Sequence, residues 1–420
     1  MSIALAPRLA PKSSLLILSF SLILTMLGVL NSHASDKQSY LINYRVDLSQ
    51  SDTHAFVRIE LGDDSGLSEI DFNLDEHLHH NIKANGELTL KNGRALWQPP
   101  TDNPWFSLEV SLNHKRRNGG YDSLRATDFA IFRGDDLIPP AIVRGRKGIE
   151  SQATLHFTLP SDWPSVNSGW EKTAEGNFII DNLERRFDRP TGWFIAGKLG
   201  PRRERLPTTH IAISGPAGED IRRMDLMSFV MLNWPTLSQI VGKTPPKIIL
   251  VMAGDPMWRG GLSGPNSLFV HTARPMVSEN GTSTLLHELI HTLTRIRGAK
   301  GDDWIAEGLA EYYSYTVLHR AGGLTDDRLA RVENWLSNWS KDIKTLRGGA
   351  SSGERTARAA LLFGELDAEI RSRTNGEKSL DNATRAMMQL GKVSLEQLRD
   401  IAQELTGKPS EVLASALLDG

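Results

Sequence analysis

Between Tyr40 and about Ser214 the apolar positions recur mostly at every second residue. Ala55, Val57, Ile59 and Leu61 alternate with other residues, as do Phe106, Leu108, Val110 and Leu112, and again Leu155, Phe157 and Leu159. A period of two sends successive side chains to opposite faces, which predicts strands buried on one side. Leu88 to Trp97 reads as a hairpin, with Asn92-Gly93 supplying two positive-φ turn positions. Many short strands punctuated by Gly and Pro predict an all-β, sandwich-like domain.

From Gly218 the pattern changes. Ile221 to Val241 is mostly helical in period, with Pro235 expected to kink or divide it. The apolar run from Lys247 to Met252 predicts a buried strand, and Ser267 to His271 a second one after the glycine-rich Gly260 to Pro265. A helix should follow, opening at Asn280-Gly281-Thr282 and stopping at Gly298, with Leu285, Leu286, Leu289, Ile290, Leu293 and Ile296 as its apolar stripe. Another helix is expected from Asp302 or Asp303 to Gly322-Gly323. After Asn338 the chain is helical again, interrupted by Arg347 to Gly353, which is rich in Gly and Ser and expected to be flexible. Ala357 to Arg371 is amphipathic, and Ser379 and Ser394 read as helix starts, the second with Gln397 at capping-box spacing. The fold class is therefore α+β and multidomain: a β-rich domain over 35–214, a mixed domain over 215–345 and a helical region over 346–420.

Composition narrows the chemistry. The chain has 420 residues, room for two or three domains, and a formal net charge of -2, which gives no footing for nucleic-acid binding. It has no cysteine, so no disulfide can form and any zinc must be held by His and carboxylates. The first 34 residues read as a signal peptide: Arg8 and Lys12 precede an apolar run from Leu15 to Leu30, and Ser32-His33-Ala34 offers a cleavage site after Ala34. The expected location is periplasmic or secreted, with no stable membrane span after cleavage. An uncleaved signal anchor is the rival reading of the same run.

The chemistry concentrates in His287-Glu288-Leu289-Ile290-His291 and in Glu307 of Trp304-Ile305-Ala306-Glu307-Gly308. Two histidines four apart on a helix share one face, so both imidazoles can reach one ion. Glu307 would be the third ligand and leave a fourth position open, as in catalytic zinc sites. Glu288 is then placed to take a proton from bound water. Glu311, one turn beyond Glu307, is the candidate for the carboxylate that accepts the second N–H of a metal-bound histidine. The expected cofactor is Zn2+, one per chain. His77, His79 and His80 form a second histidine group, but no further ligand accompanies them and they read as a solvated loop.

These motifs resemble the gluzincin metallopeptidases, among them thermolysin and the aminopeptidase N type, and are most similar to the glycyl aminopeptidase family. The likeness rests on His287-Glu288-x-x-His291, on Glu307-Gly308-Leu309-Ala310, on Gly260-Gly261-Leu262 ahead of Asn266-Ser267, and on Leu366 to Arg371 with Ser379-Leu380-Asp381. It implies a thermolysin-like zinc domain behind the β-domain, zinc on His287, His291 and Glu307, Glu288 as general base and Glu311 behind the ligands. It also implies a peptide or protein substrate; an extended peptide is expected to pair along the edge of the Ser267–His271 strand. The chain departs from that family in three respects. Ser263 stands where a glutamate holds the substrate's amine. No tyrosine follows Tyr315, and the region matching the family's tyrosine is Arg355-Thr356-Ala357-Arg358, which makes Arg355 or Arg358 a candidate source of positive charge for the oxyanion. The family's PDZ domain is not expected. The function implied is a zinc peptidase of the cell envelope; the alternative is a catalytically inactive, zinc-bearing binding or scaffold protein.

Overall fold

The structure is a computed structural model that describes residues 39–117, 119–181 and 187–419. The expected signal peptide, residues 1–34, lies outside the described residues. Residues 39–420 cluster as one compact unit, and the α+β class expected from the sequence is the class observed. Among the described residues no helix is long and apolar enough to cross a membrane.

In the first half, Ser39–Asp47 pairs antiparallel with His54–Leu61 and parallel with Glu150–Thr158, at the centre of a six-stranded sheet. A four-stranded sheet of Ala141–Gly145, Leu67–Asn73, Arg94–Gln98 and Glu87–Lys91 shares its core, so that Ile42, Ile59 and Leu108 belong to one cluster with Ile70, Phe72 and Trp97. The alternation read from the sequence is the burial pattern seen: every second residue of His54–Leu61 and Trp105–Ser111 is buried. The predicted hairpin is present, with Asn92 at φ 51° and Gly93 at φ 68°.

A third sheet, which includes Phe129–Arg133 and Trp193–Gly197, carries Ile131, Trp193 and Ile195 against the sheet of the second half. That sheet runs in the order Arg202–Arg205, His210–Ser214, Lys247–Ala253, Ser267–His271, Gly261–Gly264. Its first strand, Arg202–Arg205, therefore lies ahead of the composition change at Gly218. One face, Ile248, Leu250, Met252, Leu268 and Val270, packs under the helices; the other, Ile249, Val251 and Phe269, meets the β-domain. Burial on both faces is why Ile248 to Met252 has no polar alternation.

Four expectations need correction. The helix Arg223–Val241 runs through Pro235 undivided, because Trp234 and Leu237 beside it are both buried in the core. The helix bearing the two histidines ends at Thr294, with Arg295 left-handed at φ 53°, while Gly298 lies against the Asp302 carbonyl where no Cβ would fit. Arg347 to Gly353 is tied to the start of the Trp304–Arg320 helix: Arg347 Nε bonds Asp302, Gly348 N–H bonds the Gly301 carbonyl, and Ser351 N–H bonds Asp303. His79 is not in a solvated loop. It opens the His79–Ala84 strand, is buried, accepts at Nδ1 from the Asp75 N–H, and bonds the Asp136 carbonyl through Nε2.

Candidate metal centre

The helix Thr284–Thr294 is set by its ends and its stripe. Ser283 caps it, accepting from the Leu286 N–H. Leu285, Leu286, Leu289, Ile290 and Leu293 are buried in the core, which turns His287 and His291 together towards the opposite side. Thr292 Oγ1 donates to the Ser267 carbonyl at 3.2 Å, fixing the helix over the sheet. The helix Trp304–Arg320 brings in the carboxylates. Its Gly308 lies so close to the Glu354–Arg373 helix that an added Cβ would stand 2.4 Å from Ala359 Cβ. Upstream, buried Asp302 accepts from Arg347 Nε and from the Leu395 N–H, which anchors the start of this helix to two later segments.

These supports bring His287, His291 and Glu307 together; among the described residues they are the one group of three or more His, Cys, Asp and Glu with metal-holding geometry. His287 Nε2 and His291 Nε2 are 3.1 Å apart, His287 Nε2 is 3.4 Å from Glu307 Oε2, and His291 Nε2 is 3.4 Å from Glu307 Oε1. A tetrahedron with metal–ligand bonds of about 2.0–2.1 Å has edges of about 3.3–3.4 Å. The two imidazole nitrogens are thus close to such an edge, each faces one oxygen of the Glu307 carboxylate at about that distance, and one ligand atom from each of the three residues lies within 4.8 Å of the others. Two nitrogens and one oxygen are also the donor types zinc accepts in catalytic sites. Glu311 Oε2 lies 3.0 Å from His287 Nδ1, so the ring can donate there and leave Nε2 free to face the ion.

Electrostatics within the chain fit the same grouping. Burial works against the His287 imidazolium, yet hydrogen bonds to Glu307 and Glu311 overcome it and raise its pKa well above the usual value. Burial also opposes the charge on Glu307, but the two histidines bonded to it hold its carboxyl well below the usual carboxylate range. Glu288 goes the other way: burial pushes its carboxyl up, against the two histidines that favour the ionised form.

Sequence reasoning missed one neighbour. Gly261 of the Gly261–Gly264 strand is packed on Glu288, and a Cβ there would be 2.7 Å from Glu288 Cγ and 2.9 Å from Thr284 Cγ2. The run of glycines was the available signal. The edge strand was also misassigned. Ser267–His271 is flanked by Lys247–Ala253 on one side and by Gly261–Gly264 on the other, so it has no open edge; the sheet ends at Gly261–Gly264. The two arginines have other partners. Arg358 is bonded to Glu365 and lines a separate cavity with Tyr312 and Asp381, and Arg355 Nη1 is 3.5 Å from the Ala350 carbonyl. Among the described residues neither has a hydrogen bond or ion pair to His287, His291 or Glu307.

No family model and no curated protein sequence matches the chain. Solved structures do. An aminopeptidase N family protein from Idiomarina loihiensis superposes with a TM-score of 0.58 and 14% identity, covering 89% of this chain and 72% of the other. An M1 zinc metallopeptidase from Deinococcus radiodurans gives 0.54 and 16% identity, covering 91% and 94%. Aminopeptidase A from Legionella pneumophila, solved with aspartic acid, gives 0.53 and 14%, covering 91% of this chain and 50% of that one. The fold is thus that of the M1 zinc metallopeptidases, a β-domain followed by helix-bearing domains. None of these three is described as a glycyl aminopeptidase.

Proposed function

We propose that this chain is a zinc-dependent peptidase of the cell envelope, with Glu288 as its general base. The observation that carries the proposal is the convergence of His287, His291 and Glu307, with one ligand atom from each within 4.8 Å of the others, beside the buried carboxylate of Glu288. The three side chains would hold one zinc ion. When bound, zinc polarises a peptide carbonyl and lowers the pKa of water enough for deprotonation near neutral pH. Glu288, whose burial raises its proton affinity, receives a proton on its carboxylate and returns it to the departing amine. Glu311 accepts from His287 Nδ1 and so fixes that ring's tautomer and orientation.

An extended peptide would add to the open side of Gly261–Gly264, the strand that lies directly against Glu288. Ser263 on that strand provides a hydroxyl and no charge, so nothing there demands a free amino terminus. The chain is accordingly proposed to cut within peptides. The signal-like first 34 residues support a periplasmic or secreted location. The functional division we propose is a β-rich part ahead of about residue 200, the zinc-bearing part to about 345, and helices beyond it.

One observation favours a second function, an inactive zinc-bearing binding protein: the two arginines expected to serve as oxyanion donors are engaged with other partners, Arg355 with the Ala350 carbonyl and Arg358 with Glu365. Digestion of a peptide library by the zinc-loaded mature protein separates the two. Internal cleavages that stop on chelation support the peptidase; stoichiometric zinc with an undigested library supports the binder.

A further inference from the structure

On the face of the central sheet turned away from the His-bearing helix, a groove of about 510 Å3 lies between the Ser165–Ser168 strand and the strands Arg202–Arg205, His210–Ser214 and Lys247–Ala253. Strand register builds its floor. Arg205 is paired with His210, and His210 with Lys247, so three basic residues stand side by side across three strands on one face. Arg203, two residues from Arg205, shares that face, and Lys172 faces them from beyond the Ser165–Ser168 strand. Arg205 and Lys247 flank His210 from two strands apart, and cations gathered on one face repel one another, a repulsion that a bound anion would offset.

The chain itself supplies little compensation. Lys247 Nζ donates to the Trp170 carbonyl at 2.6 Å and Lys172 Nζ to the Val166 carbonyl at 2.9 Å, so each ammonium rests on a neutral oxygen. Arg203 reaches only the Asn167 side chain, at 3.3 Å. Among the described residues the Arg205 side chain has no ion-pair or hydrogen-bond partner. Four cationic side chains, Lys172, Arg203, Arg205 and Lys247, therefore line the groove with two carboxylates, Glu171 and Glu204. Glu204 is already bonded to Arg202. Glu171 attracts Lys247 from beyond ion-pair distance. Burial, together with Lys172 and Arg203, pulls the Lys247 ammonium down to about 8. Each lysine retains two unused N–H donors, and the guanidinium forks suit tetrahedral oxyanions.

We propose that this groove binds a dianionic phosphate group, which the surplus of two positive charges would neutralise. The ligand is inorganic phosphate or a phosphorylated headgroup, recognised by the same donors. This proposal is independent of the metal centre, which lies under the other face of the sheet.

Calorimetric titration of the zinc-loaded mature protein with inorganic phosphate, at constant ionic strength in chloride, tests it. One saturable site is expected, weakened at least tenfold in Lys247→Gln and in Arg205→Gln and unchanged in His291→Ala, which removes a phosphate-accepting metal. Arg205→Gln is at an exposed position and guards against a folding failure of the first variant. Sedimentation with vesicles containing phosphatidic acid, a phosphomonoester lipid, assigns the source: co-sedimentation lost in the same variants names a headgroup, and phosphate binding without co-sedimentation names a soluble phosphate. Absence of saturable binding, binding equally tight in both groove variants, or binding abolished by His291→Ala overturns the proposal.

Discussion

Replacing Gly261 with alanine tests how the reacting carboxylate is placed. The new methyl would stand 2.7 Å from Glu288 Cγ, 2.9 Å from Thr284 Cγ2 and 3.0 Å from Glu288 Oε1. Non-bonded carbons are comfortable at about 3.5–4.0 Å, so a neighbour must give way by about 1 Å. The strand backbone is fixed by its pairing with Val270, and Thr284 belongs to the capped first turn of the helix. The Glu288 side chain is the softer part and should move. Overpacking of this kind costs about 1–3 kcal/mol of stability. A shift of about 1 Å in a reacting group lowers the rate by up to roughly 100-fold. We therefore expect kcat/KM on a cleaved library peptide to fall about ten- to hundredfold, with zinc content unchanged because His287, His291 and Glu307 are untouched. Gly218→Ala is the control, since its added Cβ meets nothing within 4 Å. Wild-type hydrolysis by a fully zinc-loaded Gly261→Ala variant would show that Glu288 is not the reacting carboxylate, or is not seated against this strand.

Glu311→Gln should weaken zinc about 10- to 100-fold in a chelator competition, as loss of a carboxylate behind a ligating histidine does; an unchanged affinity would leave Glu311 without a role at the ion. Asp302→Ala removes the acceptor for Arg347 Nε and the Leu395 N–H, and urea unfolding should register a loss of about 2–3 kcal/mol; a loss below half of that would mean the anchor is not stabilising. Lys247→Met should raise stability at pH 7. The lysine is charged in both states below about pH 8, so the folded state then bears the whole desolvation cost; from about 8 towards the unfolded value of 10.5 the folded state loses its proton first and that cost fades. The advantage of the variant should therefore shrink as pH rises through that window, and an advantage that grows there would contradict the burial of this ammonium.

Local patterns were legible wherever one residue decides the outcome. Asn92-Gly93 set a turn that needs two positive φ angles, and Ser379 and Ser394 start helices as expected, Ser394 with the reciprocal bonds its spacing to Gln397 predicts. His287, His291 and Glu307 were legible as a group because helical spacing and a shared ion constrain them together. Tertiary packing hid the rest. Arg295 takes the left-handed position that Gly298 was expected to fill, and its guanidinium is bonded to Asn266, a residue remote in sequence. Pro235 left its helix whole because buried neighbours hold both sides. Which strand forms the sheet edge depends on the order of pairing, and periodicity carries no information about order. The basic row across three strands was equally invisible, since Arg205, His210 and Lys247 become neighbours only through register.

The central claim is tested most directly by measuring zinc content and peptide hydrolysis side by side in the wild type and Glu288→Gln. The account predicts one zinc per chain in both proteins, internal cleavage by the wild type, and turnover reduced by at least about 100-fold in the variant. Hydrolysis that persists in zinc-loaded Glu288→Gln, or in wild-type protein stripped of metal, would contradict it.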